Sequence, residues 1–146
     1  MIAELRTLFD RDLGRLHNEI AAFQREEHLW QKGGHVPNPA GNLGLHLAGN
    51  LCTYIGNTLG HQPYERDRPA EFAARDVPKQ ELLRQIAHTR EVVLTSLQAL
   101  QAKDLDSIYP EEVLGYKMTT GFFLVHLLAH LSYHLGQINY LRRILE

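Results

Sequence analysis

The sequence predicts an all-α protein, a four-helix bundle, and three observations carry that prediction. Apolar residues recur at three- and four-residue spacings in four long stretches. No stretch alternates with period two for long enough to suggest a sheet. A chain of 146 residues is long enough for one such bundle and little more. With no repeat, low-complexity tract or linker to divide it, the whole of 1–146 reads as one domain.

The first helix is expected over about residues 2–30, with Leu5, Leu8, Phe9, Leu16, Ile20 and Phe23 on one face and charges between them. Gly33 and Gly34 followed by Pro37 and Pro39 cannot continue it. The second helix is expected over about 42–60. A loop over 61–77 follows, carrying Arg66-Asp67-Arg68 and Glu71-Phe72, whose charges are expected to tie it to the bundle through ion pairs. Asp76 with Pro78 reads as a start signal for the third helix. That helix is expected to reach about Lys103, with Leu82, Leu83, Ile86, Val93, Leu97 and Leu100 available for packing. The connection 104–118 contains Pro110 and Gly115 and is expected to hold turns or a small hairpin. Thr119 or Thr120 then caps a fourth helix that runs nearly to the C-terminus.

Composition excludes several function classes. With 15 basic and 17 acidic residues the net charge is −2, so neither a bulk field nor a basic run is available for nucleic acid. The lone Cys52 allows no intramolecular disulfide and no thiolate zinc site, which makes a reducing compartment the simplest expectation. The start, Met1 to Arg6, is charged at once and unlike a secretory signal, so a cytoplasmic location is expected. Residues 121–141 have about the length of a membrane span. They also carry three histidines with Ser132, Gln137 and Asn139, which hydrocarbon would penalise, so this helix is expected inside protein and not in a membrane.

Charge is unevenly distributed in a more telling way. Residues 33–64 and 118–141 contain no Asp, Glu, Lys or Arg, and six of the nine histidines lie in these two stretches. On the fourth helix His126, His130 and His134 form a stripe that rotates only about 40° per step. Neighbours in it stand about 6 Å apart along the axis and can converge on one ion, whereas the outer two, about 12 Å apart, cannot share one on a straight helix. A metal would therefore take either His126 with His130 or His130 with His134. His46 on the second helix is the evident third ligand, followed at helical spacings by Asn50, Thr53 and Asn57 in a narrow uncharged polar stripe. That stripe fits a small wet cavity in a bundle core; the alternative is a set of polar residues held by internal hydrogen bonds. Gly44, Gly49, Gly56 and Gly60 each cost about 1 kcal/mol relative to Ala, so close packing or cavity space is expected in return. His17, His28 and His88, on charge-rich helices, and His35 and His61, beside loops, are expected to be structural or solvent-facing. Trp30 and Tyr133 are expected to pack or to make dimer contacts. Cys52 lies about 120° from His46 around the helix and is expected to be a small core residue.

Two ordered motifs, His46-Leu47-Ala48-Gly49-Asn50 and His130-Leu131-Ser132-Tyr133-His134-Leu135-Gly136-Gln137, resemble the DinB/YfiT-like superfamily of metalloenzymes. The Arg66-Asp67-Arg68 and Glu71-Phe72 elements resemble a DinB-related bacterial family of unknown function. The resemblance covers essentially the whole chain. It implies a four-helix bundle, often a homodimer, in which His46, His130 and His134 hold a divalent ion with water, leaving His126 one turn away. Many relatives carry Arg where this chain has Leu135, so anion handling by that residue is not expected here. Some members are transferases or isomerases that use low-molecular-weight thiols.

Three neutral imidazoles would leave the ion's charge uncompensated and at least one position open, as in catalytic sites. A water or a thiol held there would be acidified, so a transferase or hydrolase acting on a small molecule is expected. His126 is the candidate base or substrate contact, and Asn50 and Gln137 the candidates for orienting ligands or water. Zinc or nickel is the expected metal. The other reading is a non-catalytic bundle that binds a small molecule or metal in stress protection, or an interaction protein with a vestigial site.

Overall fold

The computed structural model describes all residues from Met1 to Glu146 and contains six α-helices and no strand. They are α1 (Ile2–Ala22), α2 (Ala40–Leu51), α3 (Arg68–Ala73), α4 (Lys79–Gln98), α5 (Ala102–Asp106) and α6 (Thr120–Leu145). A 3₁₀ turn, Glu26–Trp30, follows α1, and α2 runs on directly into a π-helical segment, Cys52–Asn57. The four long helices α1, α2, α4 and α6 make the bundle. Its core is built from one face of each: Leu5, Phe9, Leu13, Leu16 and Ile20 from α1; Leu47 and Leu51 from α2; Leu82, Ile86 and Val93 from α4; Phe123, Leu127, Leu131 and Ile138 from α6. Each such side chain contributes about 1.5–3 kcal/mol when fully buried.

Both α1 and α2 pack against α4 and α6, so α1 and α2 stand on one diagonal of the bundle and α4 and α6 on the other. Directions follow from the cross-contacts. Asp10 pairs with Arg90, and Lys79 donates to the carbonyls of Ala21 and Phe23, so α1 and α4 are antiparallel. Glu19 pairs with Arg142 and the backbone of Gln24 meets Glu146, so α1 and α6 run together. Gly44 lies over Leu82 and Gly60 over Ser96, so α2 and α4 also run together. Parallel neighbours cannot be joined by a tight turn. Residues 61–77 must travel back the length of α2 before α4 begins, and α3 forms in the middle of that return.

The α2–α4 contact is close because of glycine. A Cβ at Gly56 would stand 2.5 Å from Val92 Cγ1, and one at Gly60 2.0 Å from Ser96 Oγ. The π segment adds a residue to its turn, with Thr58 N–H donating to Thr53 O at 3.1 Å and Gly60 N–H to Ile55 O at 2.9 Å.

Several element ends differ from the sequence expectations. The first helix stops at Ala22 instead of Trp30: Phe23 leaves helical geometry (ψ 119°) and stays in the core, while Lys79 takes the terminal carbonyls and Glu146 the following N–H groups. The third helix stops at Gln98, short of Lys103, because Gln101 and Asp104 form a reciprocal capping box that starts α5. Asp76 makes no cap; it adopts a positive φ of 57°, and α4 begins after Pro78. The connection 61–77 is not only loop, since Asp67 accepts from Ala70 N–H and caps α3. The connection before α6 has one isolated bridge, Ile108 with Thr119, and no hairpin. Thr119 caps α6, its hydroxyl accepting from Phe122 N–H at 3.1 Å.

Candidate metal centre

His46 sits at mid-helix in α2, and the antiparallel neighbour α6 presents His130 and His134 at the same level. One nitrogen from each of the three imidazoles lies within 4.8 Å of the other two. His46 Nε2 and His130 Nε2 are 3.3 Å apart. Two ligands at zinc–nitrogen distances of about 2.0–2.1 Å and a tetrahedral angle stand about 3.3–3.4 Å apart, so this spacing fits a shared ion. The rings of His46 and His130 are edge-on at 5.2 Å, and those of His130 and His134 at 4.6 Å. Of the two ligand pairs that helical spacing leaves open on α6, the fold brings His130 and His134 to His46.

The outer nitrogens are supported unequally. His46 Nδ1–H donates to Glu71 Oε1 at 3.1 Å, and His134 Nδ1–H to Gln137 Oε1 at 2.7 Å. His130 Nδ1 is buried without a partner. Arg66 in turn donates to Glu71 through Nε at 2.8 Å and Nη2 at 3.0 Å, and its guanidinium lies 5.7 Å from the centre of the Tyr54 ring. Burial pushes the His130 imidazole down to about 4, helped by the positive charge that His134 and His46 would carry. Burial also holds His46 below the ordinary histidine range, with Glu71 opposing it. Both are therefore neutral near pH 7, the form a metal ligand needs.

Glu71 brings a carboxylate to His46, where the sequence pattern left the three imidazoles without one, and Arg66 pairs with its charge. The two charge-free helices carry no carboxylate, but the returning segment brings one in from outside them, with only 7% of its side chain exposed. The sequence carries a signal for this in Gly49. A Cβ there would stand 1.9 Å from Glu71 Oε2 and 2.7 Å from its Cδ, so an alanine would occupy the carboxylate's place. Of the charged residues on the return, Arg66 and Glu71 pair with each other and with His46; Asp67 caps α3, and Arg68 lies over the Phe72 ring.

His126 lies one turn from the ligands, half-buried, its ring nearly parallel to those of Phe123 and His130 at 5.8 and 6.3 Å. Asn50 is buried, and its Oδ1, like Thr53 Oγ1, has no partner. The polar stripe does not stay inside, for Asn57 at its end is exposed. Cys52 is buried against Thr89 in the core. His35, His61 and His88 are exposed, and His28 pairs with Glu146 at 2.9 Å. Beside His134 and Gln137 opens a pocket of about 470 Å³, lined also by Val36, Leu43, Tyr133 and Leu141 and by no charged side chain.

An all-α bundle with three histidines on two facing helices defines a class of candidate metalloprotein. The chain belongs to the DinB superfamily, whose sequence pattern matches residues 8–138. No curated protein matches it. No helix is long and apolar enough to cross a membrane.

Proposed function

We propose that the protein is a metal-dependent enzyme of the transferase or hydrolase type, holding zinc or nickel through His46, His130 and His134 and acting on a small molecule. The observation that carries this reading is the convergence of three imidazoles without a fourth protein ligand. Structural zinc sites are closed by four protein ligands; catalytic ones keep a position open. A divalent ion there would supply a Lewis acid that polarises an electrophile or acidifies the thiol or water it holds.

The chain's own residues have separable tasks in this reading. Gln137 orients His134 and Glu71 orients His46. His126 is placed for substrate contact or proton transfer, being half-buried, one turn from His130 and free of any hydrogen bond to a neighbouring side chain. Asn50 Oδ1 is a free acceptor for a donor entering from that side. The uncharged pocket beside His134 suits the apolar part of a substrate, and a low-molecular-weight thiol is the proposed co-substrate. A reducing cytoplasm suits the free thiol of Cys52. A homodimer is proposed from the family resemblance, and the exposed Phe122, Val125, Tyr133 and Tyr140 on α6 are consistent with it.

The test begins with elemental analysis of protein purified without chelator, followed by a panel of thiols and electrophiles assayed with loaded, metal-free and His46→Ala protein. One ion per chain and turnover that disappears in the last two samples are expected. Stoichiometric metal with no turnover across the panel would favour a binding or sensing role instead.

A further inference from the structure

The returning segment reaches His46 through the Glu71 carboxylate, and the surroundings of that hydrogen bond give it a role beyond packing. Glu71 is fixed from two sides, with Arg66 donating to both carboxylate oxygens and His46 Nδ1–H to one of them. The side chains of His46, Glu71 and Arg66 are only 8%, 7% and 13% exposed. The backbone beneath is held separately, because Asn42 Nδ2 donates to the carbonyls of Glu71 and Ala74 at 2.9 Å each. Gly49 leaves the room that the carboxylate fills.

An imidazole that gives its Nδ1 proton to a carboxylate is held in one tautomer and one orientation, with the Nε2 lone pair aimed at the ion and its basicity raised. His134 receives the same support from a neutral amide, and His130 from no side chain or backbone group. The three ligands are thus graded, and His46 is the one backed by charge.

We propose that Glu71 is a positioning residue that makes His46 the anchoring ligand of the metal centre, and that an ion bound there in turn fastens residues 66–73 onto the bundle. The inference rests on the metal-binding reading above. Its two halves are one thermodynamic statement: the factor by which the Glu71–His46 bond raises ion affinity is the factor by which the ion favours the seated segment. Outer partners of ligating histidines are typically worth about 10- to 100-fold in metal affinity.

The experiment uses zinc alone. Affinity is measured by competition with a chromophoric chelator for the wild type, Glu71→Gln and Glu71→Ala, with imidazole ¹⁵N shifts reporting the His46 tautomer. Hydrogen exchange of residues 61–77 is followed with and without zinc. Glu71→Ala is expected to lose about 10- to 100-fold in affinity and to mix the His46 tautomers. Glu71→Gln, which keeps an acceptor but no charge, falls between and keeps the single tautomer. Zinc protects residues 61–77 in the wild type by a factor matching the affinity loss; in Glu71→Ala it protects α6 around His130 but not the segment. If Glu71→Ala fails to fold, Glu71→Gln and the wild-type exchange data decide. Equal affinity in the wild type and the Glu71 variants, or loading that leaves the wild-type segment's exchange unchanged, overturns this inference alone. A wild-type protein that binds no zinc, and no nickel in a parallel titration, overturns the metal reading and this inference with it.

Discussion

Replacing Gly49 with alanine adds one carbon atom where the structure has no room for it. The new Cβ would stand 1.9 Å from Glu71 Oε2, and reaching an ordinary contact of 3.4 Å moves the carboxylate by about 1.5 Å. Hydrogen bonds of 2.8–3.1 Å to Arg66 and His46 do not survive such a shift together. Hydrogen bonds to charged groups contribute about 1.5–3 kcal/mol each and are not additive within one cluster. Against this, alanine in a helix interior returns about 1 kcal/mol relative to glycine. The net expectation is a loss of about 2 kcal/mol, which for a chain of this size lowers the melting temperature by about 4–8 °C. Thermal and urea unfolding of the metal-free protein, followed by circular dichroism, measure it. A Gly49→Ala protein as stable as the wild type or more so, the result helix propensity alone would give, would refute the close approach of Glu71.

Other consequences can be measured on the same preparations. Gln137→Leu removes the neutral acceptor of His134 and is expected to weaken zinc binding by about 10-fold, the low end for such partners; unchanged affinity would leave Gln137 without this role. In metal-free protein the depressed His130 imidazole makes folding pH-dependent. Between about pH 6.5, where an unfolded histidine titrates, and about 4, where the folded one does, the unfolded chain binds the extra proton, so stability falls as pH falls through that window. The urea midpoint of the wild type, measured against His130→Gln, should fall across it and level off below; a constant difference contradicts the depressed value. Burial pushes the Cys52 thiol up, so a disulfide reagent should leave it unreacted in the native protein and label it fully in urea. Rapid native labelling would place it outside the core.

Much of the fold is legible in local pattern. The spacings of Leu5, Phe9 and Leu16, or of Phe123, Leu127 and Leu131, are those of helices with one buried face, and Thr119 before its run of apolar residues is a cap. What the pattern misses is decided by residues far away in the chain. Nothing near Ala22 ends α1; Lys79 and Glu146, remote in sequence, take its last carbonyls and the next N–H groups. The π segment leaves no mark in periodicity, because one inserted residue resembles ordinary scatter in a short apolar helix. The candidate site divides in the same way. Four-residue spacing makes the α6 histidines visible as a stripe, while Glu71 is hidden, since its approach depends on a parallel α2–α4 pair that forces the chain back past His46. Gly49 is the trace of that approach, and it reads as one helix-weakening glycine among four until the carboxylate is seen to fill its place.

X-ray absorption at the metal edge of zinc-loaded protein tests the three-histidine centre most directly. One ion per chain is expected, with three imidazole ligands at about 2.0–2.1 Å and the remaining position filled by solvent. Fewer than three imidazoles, or a carboxylate oxygen that vanishes in Glu71→Ala, would contradict it.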